Sequence, residues 1–591
     1  MRTFLFASLG AFVGTMVGLI LLVMIAIGSV RARVASMTPT AQLPDTYVLE
    51  MDLRQEIPDQ SPLSGPAAVF GPMPGFIDIL MRLEAAKTDD NVAGVFIRGA
   101  EFGIGSARSE ELRAALLDFK SDGKFVLAHS QGTYGGGPSV YRALASADEI
   151  WVQPGSELIA SGITLETLFM RDLFDNLSIT PQFEAFHEYK NAPNTYTEAG
   201  YTDAHRLALA DMAVSLWNQS LGDIASDRGL SVAEVTGALE ATPLNADDMI
   251  ALGLADQNGW PEDAMDAALD RAGEDAGFVS INKYVPPSSK FGSPTIALVG
   301  GNGAIVTGGN GGSIFSEGSG FASDSIAAAI LEAGSNERVD AIVFRVDSPG
   351  GSPTASDQIW RAIERVQDEY EVPVVVSMAS VAASGGYYVS TGADWIVANR
   401  ATITGSIGIF GGKFAIAEGL ARIGVNAETI SVGGPFSGVF STTQGLTEAQ
   451  RDMMREWLGR GYDRFIALVA EGRGMSAEEV DARARGRVWT GEDAMSQGLV
   501  DELGGLTTAI AKARELAEIE PDEAIRILKY PQFRAPFPFA APGVSETATD
   551  LSAIGELTDI LRDPRVQSVI EELEATRSGH LQVRAPAVSE R

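Results

Sequence analysis

The sequence predicts an α/β protein made by tandem duplication of one strand–turn–helix unit, preceded by an N-terminal transmembrane helix. Three observations predict it. An uninterrupted run of apolar or small residues covers Phe4 to Gly28. Two apolar, β-rich runs, Val92 to Arg98 and Val339 to Arg345, each lead through a Gly/Ser-rich turn into an amphipathic helical stretch. The halves also keep register: Asp148 and Asp394 stand as far apart as Gly162 and Gly408, and the interval from Asp256 to Asp501 differs by a single position. A register held over so much sequence marks an internal repeat.

From the N-terminus onward, residues 1–28 read as an anchor, because the apolar run is long enough to cross a bilayer with some tilt. Ser29-Val30-Arg31-Ala32-Arg33 follows directly, without a small-x-small cleavage site, which favours an uncleaved anchor. Arg2 on one side and Arg31 and Arg33 on the other leave the orientation undecided by charge. Residues 29–65 read as a stalk or linker, proline-rich and polar from Ala41 to Gly65. Residues 66–285 form the first α/β unit, with a helix expected over Ser109–Lys120, and residues 286–525 the second, with its helix over Ser356–Glu369. Residues 526–591 read as a Pro-rich linker and tail, in which Glu546 to Arg577 has the pattern of one or two short amphipathic helices.

Composition narrows the function. A length of 591 residues suits two or three domains of ordinary size. A formal net charge of -34 repels phosphate backbones, and no basic stripe offsets it, so nucleic acid is not expected as a partner. With no cysteine, disulfides, thiol nucleophiles and thiolate metal sites are excluded together. No metal or cofactor is expected.

The two copies differ where chemistry could occur. The second has Asp347-Ser-Pro-Gly-Gly351 after its strand where the first has Gly99-Ala-Glu-Phe-Gly103, and Ala382-Ala-Ser-Gly-Gly-Tyr-Tyr388 where the first has Gly135-Gly-Gly-Pro-Ser139. Val374 to Ala379 is fit for a buried strand, and Ser384-Gly385-Gly386 follows it. A serine on such a turn can project its hydroxyl while the next amide faces a substrate, although most Ser-Gly-Gly triplets are plain turns. The amides of Gly351 and Gly385 could together hold the oxyanion of a tetrahedral intermediate, or Gly350-Gly351 could simply open a helix.

A nucleophilic serine needs a base. His129, His187, His205 and His580 lie in no recognisable motif, and the Gly-x-Ser-x-Gly elbow is absent around Ser384. A lysine can serve only if burial or a nearby cation depresses its pKa. Lys190 stands out, at the end of the β-like run Phe183 to Tyr189 and ahead of Asn191-Ala-Pro193; a surface lysine is the competing reading.

Asp347-Ser-Pro-Gly-Gly351, Ala383-Ser-Gly-Gly-Tyr387, Thr404-Gly-Ser-Ile-Gly-Ile-Phe410 and Gly486-Arg-Val-Trp-Thr-Gly491 through Gly498-Leu-Val-Asp501 together resemble the signal peptide peptidase A (protease IV) family in its long, tandem-repeat form. The resemblance covers roughly Tyr47 to Gly505 and implies two ClpP/crotonase-like repeats. It implies Ser384 as nucleophile, Lys190 of the Tyr189-Lys190 pair as base, and Ser406 as the group that orients or desolvates the lysine. Phe436 stands near the position equivalent to Lys190 in the second repeat, so one site would draw on both repeats. It further implies a homotetramer acting on signal peptides and other unstructured apolar segments, held in the bacterial inner membrane with Arg2 cytoplasmic and the body periplasmic. Pro193, close after Lys190, is expected to alter the strand that carries the base. The competing classes are a silent peptide- or protein-binding scaffold at the membrane and acyl-CoA chemistry; the presence of both Ser384 and Lys190 favours the enzyme over the first, and an extracytoplasmic location disfavours the second.

Overall fold

The computed structural model describes residues 44–55, 57–61, 74–135, 137–287, 292–309 and 320–531, together with the backbone of 583–584. The expected anchor at 1–28, most of the stalk and the expected tail helices lie outside the described residues. Among the described residues, no helix is long and apolar enough to cross a membrane.

The apolar runs become central strands. The first half holds β1 (Tyr47–Asp52), β2 (Val92–Arg98), β3 (Phe125–Ser130), β4 (Glu149–Val152), β5 (Glu157–Leu158), β6 (Thr180–Ala185), β7 (Leu244–Asn245), β8 (Gln257–Asn258) and β9 (Gly277–Ser280). Six of them form a parallel sheet in the order β8-β4-β3-β2-β1-β9. The second half holds β10 (Thr295–Asn302), β11 (Ala341–Ser348), β12 (Gly350–Gly351), β13 (Val374–Ala383), β14 (Trp395–Ala398), β15 (Ile403–Gly405), β16 (Phe410–Ala415), β17 (Val488–Thr490), β18 (Glu502–Leu503) and β19 (Arg526–Tyr530), and the segment β20 (Val583–Arg584) follows. Its sheet repeats the order as β18-β14-β13-β11-β10-β19 and adds β15 beside β13 and β17 beside β15. The internal repeat seen in the sequence is therefore a repeat of topology. Strands so placed are covered on both faces, which accounts for continuous apolar runs rather than alternation.

Several elements extend past their sequence patterns, each for a local reason. The helix expected at Ser356 runs over Pro353–Tyr370, because the Ser352 side chain accepts from the Ala355 N–H and Pro353 suits the first helical position. The strand expected over Val374–Ala379 continues to Ala383, where β15 takes over its pairing.

One hydrophobic core joins the halves: Val95 and Ile97 of the first sheet share it with Val343 and Val375 of the second and with Leu506 and Ala509 of the helix Leu506–Leu516. Within this seam Arg345 of β11 is fully buried. Its guanidinium donates to Asp59 at 2.9 Å, to Glu111 at 2.8 and 2.9 Å, and to Ser377 Oγ at 3.0 Å. Burial opposes its charge, but Asp59 and Glu111 outweigh that and raise its pKa. The network locks the second sheet to the first half, and removing one partner leaves buried charge uncompensated. Arg345→Met is accordingly expected to lower the unfolding free energy by about 3–5 kcal/mol, read from urea denaturation, and a loss under about 1 kcal/mol would contradict the network's importance.

Candidate active site

Three elements of the second half and one arm of the first converge on a single buried point. β13 delivers Ser384 at its end, where the Ser384 N–H donates to Gly405 O at 2.8 Å and the Tyr388 N–H donates to Ser384 O at 2.8 Å. This closes the turn into the short helix Gly385–Ser390. Ser384 pays for its place with φ 56° and ψ −113°, a region that costs a non-glycine residue about 1–3 kcal/mol. Two glycines make the turn possible. A Cβ on Gly386 would lie 2.7 Å from Ser348 O, and one on Gly385 would lie 2.8 Å from Ser356 Oγ and 3.1 Å from the Gly351 nitrogen.

The same contact brings Gly351 and Gly385 side by side. Gly385 opens its helix, where the first N–H groups have no acceptor within the helix. Gly351 is held against Ile305 so closely that a Cβ would fall 2.0 Å from Ile305 O. Asp347 fastens this loop to the nucleophile strand: its carboxylate accepts from the Val381 N–H at 3.0 Å and from Arg108 of the first half at 3.4 Å. Burial, reinforced by the neighbouring Asp59, raises the Asp347 pKa.

Lys190 arrives from the first half on a cross-unit ribbon. β6 pairs antiparallel with β16, from Thr180 opposite Ala415 to Ala185 opposite Phe410. The strand then ends, earlier than the β-like sequence pattern, and His187 turns the chain with φ 70°. The Phe186 N–H donates to Ile409 O at 2.9 Å and the Tyr189 N–H to Arg485 O at 3.1 Å, so second-half backbone guides the arm inward. Pro193 lies beyond the strand, at the start of the single turn Asn194–Thr197, and leaves β6 intact.

Lys190 is only 2% exposed, which overturns the surface-lysine reading. Its Nζ lies 2.7 Å from Ser384 Oγ, 2.9 Å from Ser406 O and 3.0 Å from Ser406 Oγ. Burial drives its pKa well below the ordinary lysine value. Protonated, the nitrogen would donate three times; neutral, it keeps two N–H groups and offers a lone pair to a hydroxyl.

Ser406 is itself held in place with φ 50° and a 2.7 Å hydrogen bond from its N–H to Arg487 O. The five residues singled out in the sequence therefore meet: Ser384, Lys190 and Ser406 through their side chains, Gly351 and Gly385 beside them through their backbones. Two further residues went unread. A Cβ on Gly486 would sit 2.5–2.6 Å from the Lys190 backbone and Cβ, and one on Gly408 would sit 3.2 Å from its side chain. Both lie in the quoted glycine motifs, but the space they leave for a distant lysine is invisible in one dimension.

The histidines are engaged elsewhere. His129 Nε2 is 3.2 Å from Gly259 O, His187 is 3.8 Å from Asp481, and His205 packs against Phe169 and Tyr201. His580 lies outside the described residues. At the position in the first unit that corresponds to Ser384 stands Pro138, which opens the helix Ser139–Ala145. Among the described residues, no cluster of His, Asp or Glu could hold a metal ion.

Known proteins match over most of this chain. The sequence model of Peptidase family S49 matches residues 118–274 and 367–520, one segment in each half. The chain is 33% identical over 477 residues to Protease 4 of Salmonella typhi, covering 75% of this chain and 72% of that protein. It is 26% identical over 572 residues to the chloroplastic serine protease SPPA of Arabidopsis thaliana, covering 95% and 82%. Protease 4 of Haemophilus influenzae is 29% identical over 472 residues, covering 76% and 74%.

Proposed function

Because this chain belongs to peptidase family S49 and is a serine protease, we propose that Ser384 is its nucleophile and Lys190 its general base. The observation that carries this reading is the 2.7 Å approach of Lys190 Nζ to Ser384 Oγ, with both side chains buried. Neutral Lys190 takes the hydroxyl proton as Ser384 Oγ attacks the peptide carbonyl. The N–H groups of Gly351 and Gly385 hold the oxyanion, and Ser406 orients the amine through its two contacts. When the C–N bond breaks, the Lys190 ammonium returns the proton to the leaving amine. Water then attacks the acyl ester as Lys190 accepts its proton; the bond from the acyl carbon to Ser384 Oγ breaks, and the Lys190 ammonium returns that proton to Oγ, which releases the acid and restores both residues.

In the same reading each unit is ClpP/crotonase-like, and the enzyme degrades cleaved signal peptides and other unstructured apolar segments. Residues 1–28 anchor it in the bacterial inner membrane with the body in the periplasm, and its apolar composition supports that role. The subunits form a homotetramer. Ile423, Val425, Ile430 and Val432 are all exposed, an apolar surface that a neighbouring copy would cover.

The pH dependence of kcat/KM for a short peptide tests the base. Lys190 works only unprotonated, so activity falls as pH drops through its depressed pKa and levels off above it. A rate that stays flat through mildly acidic pH would rule the lysine out.

A further inference from the structure

A hydroxyl outside the proposed catalytic set holds the loop that meets Lys190. Tyr462, on the helix Glu448–Arg473, is buried, and its ring lies 5.5 Å from that of Phe186 and 4.9 Å from that of His187, on the arm that ends at Lys190. Its hydroxyl donates to Asp481 Oδ1 at 2.7 Å and accepts from the Arg485 N–H at 3.3 Å. Burial and the bond to Asp481 raise the phenol's pKa, so the proton that sets both bonds stays on it. Arg485 needs such a restraint, because at φ 53° it holds a left-handed conformation unfavourable to a non-glycine residue. Residues 485–487 in turn meet both Lys190 and Ser406: Arg485 O accepts from the Tyr189 N–H at 3.1 Å, Gly486 lies against the Lys190 backbone, and Arg487 O accepts from the Ser406 N–H at 2.7 Å.

We propose that Tyr462 is a positioning residue for the general base: its hydroxyl, oriented by Asp481, fixes the Arg485 amide and through it the placement of Lys190 against Ser406 and Ser384. The proposal rests on the assignment of Lys190 made above. The charged and titratable groups around the phenol are Asp481, Arg485 and His187, with Glu188 beyond Arg485. The phenol itself carries no charge, so its effect on the amine passes through geometry.

Tyr462→Phe in the full chain removes one oxygen and no charge, and keeps the ring contacts to Phe186 and His187. A loosened arm lets water reach the amine and favours its ammonium, so the Lys190 pKa rises towards its ordinary value. The acid limb of kcat/KM for a short peptide is expected to move about one unit to higher pH, with the plateau kcat down about tenfold and KM within about twofold. A merely structural role would leave the limb in place, so an unmoved limb overturns the proposal. If the phenylalanine variant does not fold, Asp481→Asn is read instead. It weakens the acceptor that orients the phenol, whereas loss of the carboxylate's field by itself would lower the limb. A limb raised above the parent's then supports the proposal, and one unmoved or lowered refutes it. Hydrogen–deuterium exchange reads the clamp without turnover: the amides of residues 186–190 and 485–487 are expected to exchange about tenfold faster in Tyr462→Phe than in the parent, and equal rates overturn the proposal. Faster exchange together with hydrolysis retained by Lys190→Met would uphold the clamp and overturn the assignment of the base.

Discussion

Ser384→Ala is expected to abolish peptide hydrolysis, lowering kcat/KM by roughly four to six orders of magnitude, the scale on which removal of a serine nucleophile acts. The substitution deletes one hydroxyl and leaves the turn's backbone hydrogen bonds to Gly405 and Tyr388 in place. Lys190 keeps both contacts to Ser406. Circular dichroism and the oligomeric state should therefore match the parent while activity is lost. Labelling the parent with a fluorophosphonate and locating the adduct supplies the positive counterpart. An adduct on another residue, or appreciable turnover by the alanine variant, would remove Ser384 from the mechanism.

Lys190→Met should be nearly as damaging, on the order of 10^4-fold or more, because a nucleophile and its base act as one unit rather than additively. The same variant carries a second expectation of opposite sign, for stability. In the folded protein burial depresses the Lys190 pKa, whereas in the unfolded chain the amine titrates near its ordinary value. Between those two values the unfolded state binds the extra proton, so this residue's contribution to stability improves as pH rises through that interval and is most unfavourable below it. Methionine binds no proton and fills similar volume. It should raise the urea midpoint over the parent, by more at neutral pH than at pH 10. An inactive variant with a raised midpoint assigns the lysine to chemistry rather than to folding; retained hydrolysis would defeat its role as base.

Both expectations depend on how far a sequence can be read. The duplication was legible because it is written in local patterns: apolar runs such as Val92–Arg98 and the paired Asp148 and Asp394 mark the same strand edge twice. Ser384 was legible for a similar reason, since a strand, a serine and two glycines adjoin in the chain. Lys190 was weaker. Its place at the end of a β-like run set it apart from the other lysines, but taken alone those surroundings still fit an exposed side chain, and the role of base came from its place in a family motif. The early end of β6 escaped the pattern, because the residues that replace its pairing, Ile409 and Arg485, belong to the other half.

The buried arginine at position 345 shows the same limit in the core. Within its run it reads as the polar end of an apolar strand, yet it is the hub on which Asp59 and Glu111 close. By itself the sequence determined the two-fold repetition of an α/β unit, the glycine-supported turn that presents Ser384, and the exclusion of thiol chemistry. Tertiary structure alone decided that the β6–β16 ribbon carries a first-half amine to a second-half hydroxyl, and that Gly408 and Gly486 leave it room. The physical reason is that secondary structure follows from neighbours along the chain, whereas the desolvation that shifts a lysine's pKa comes from neighbours in space.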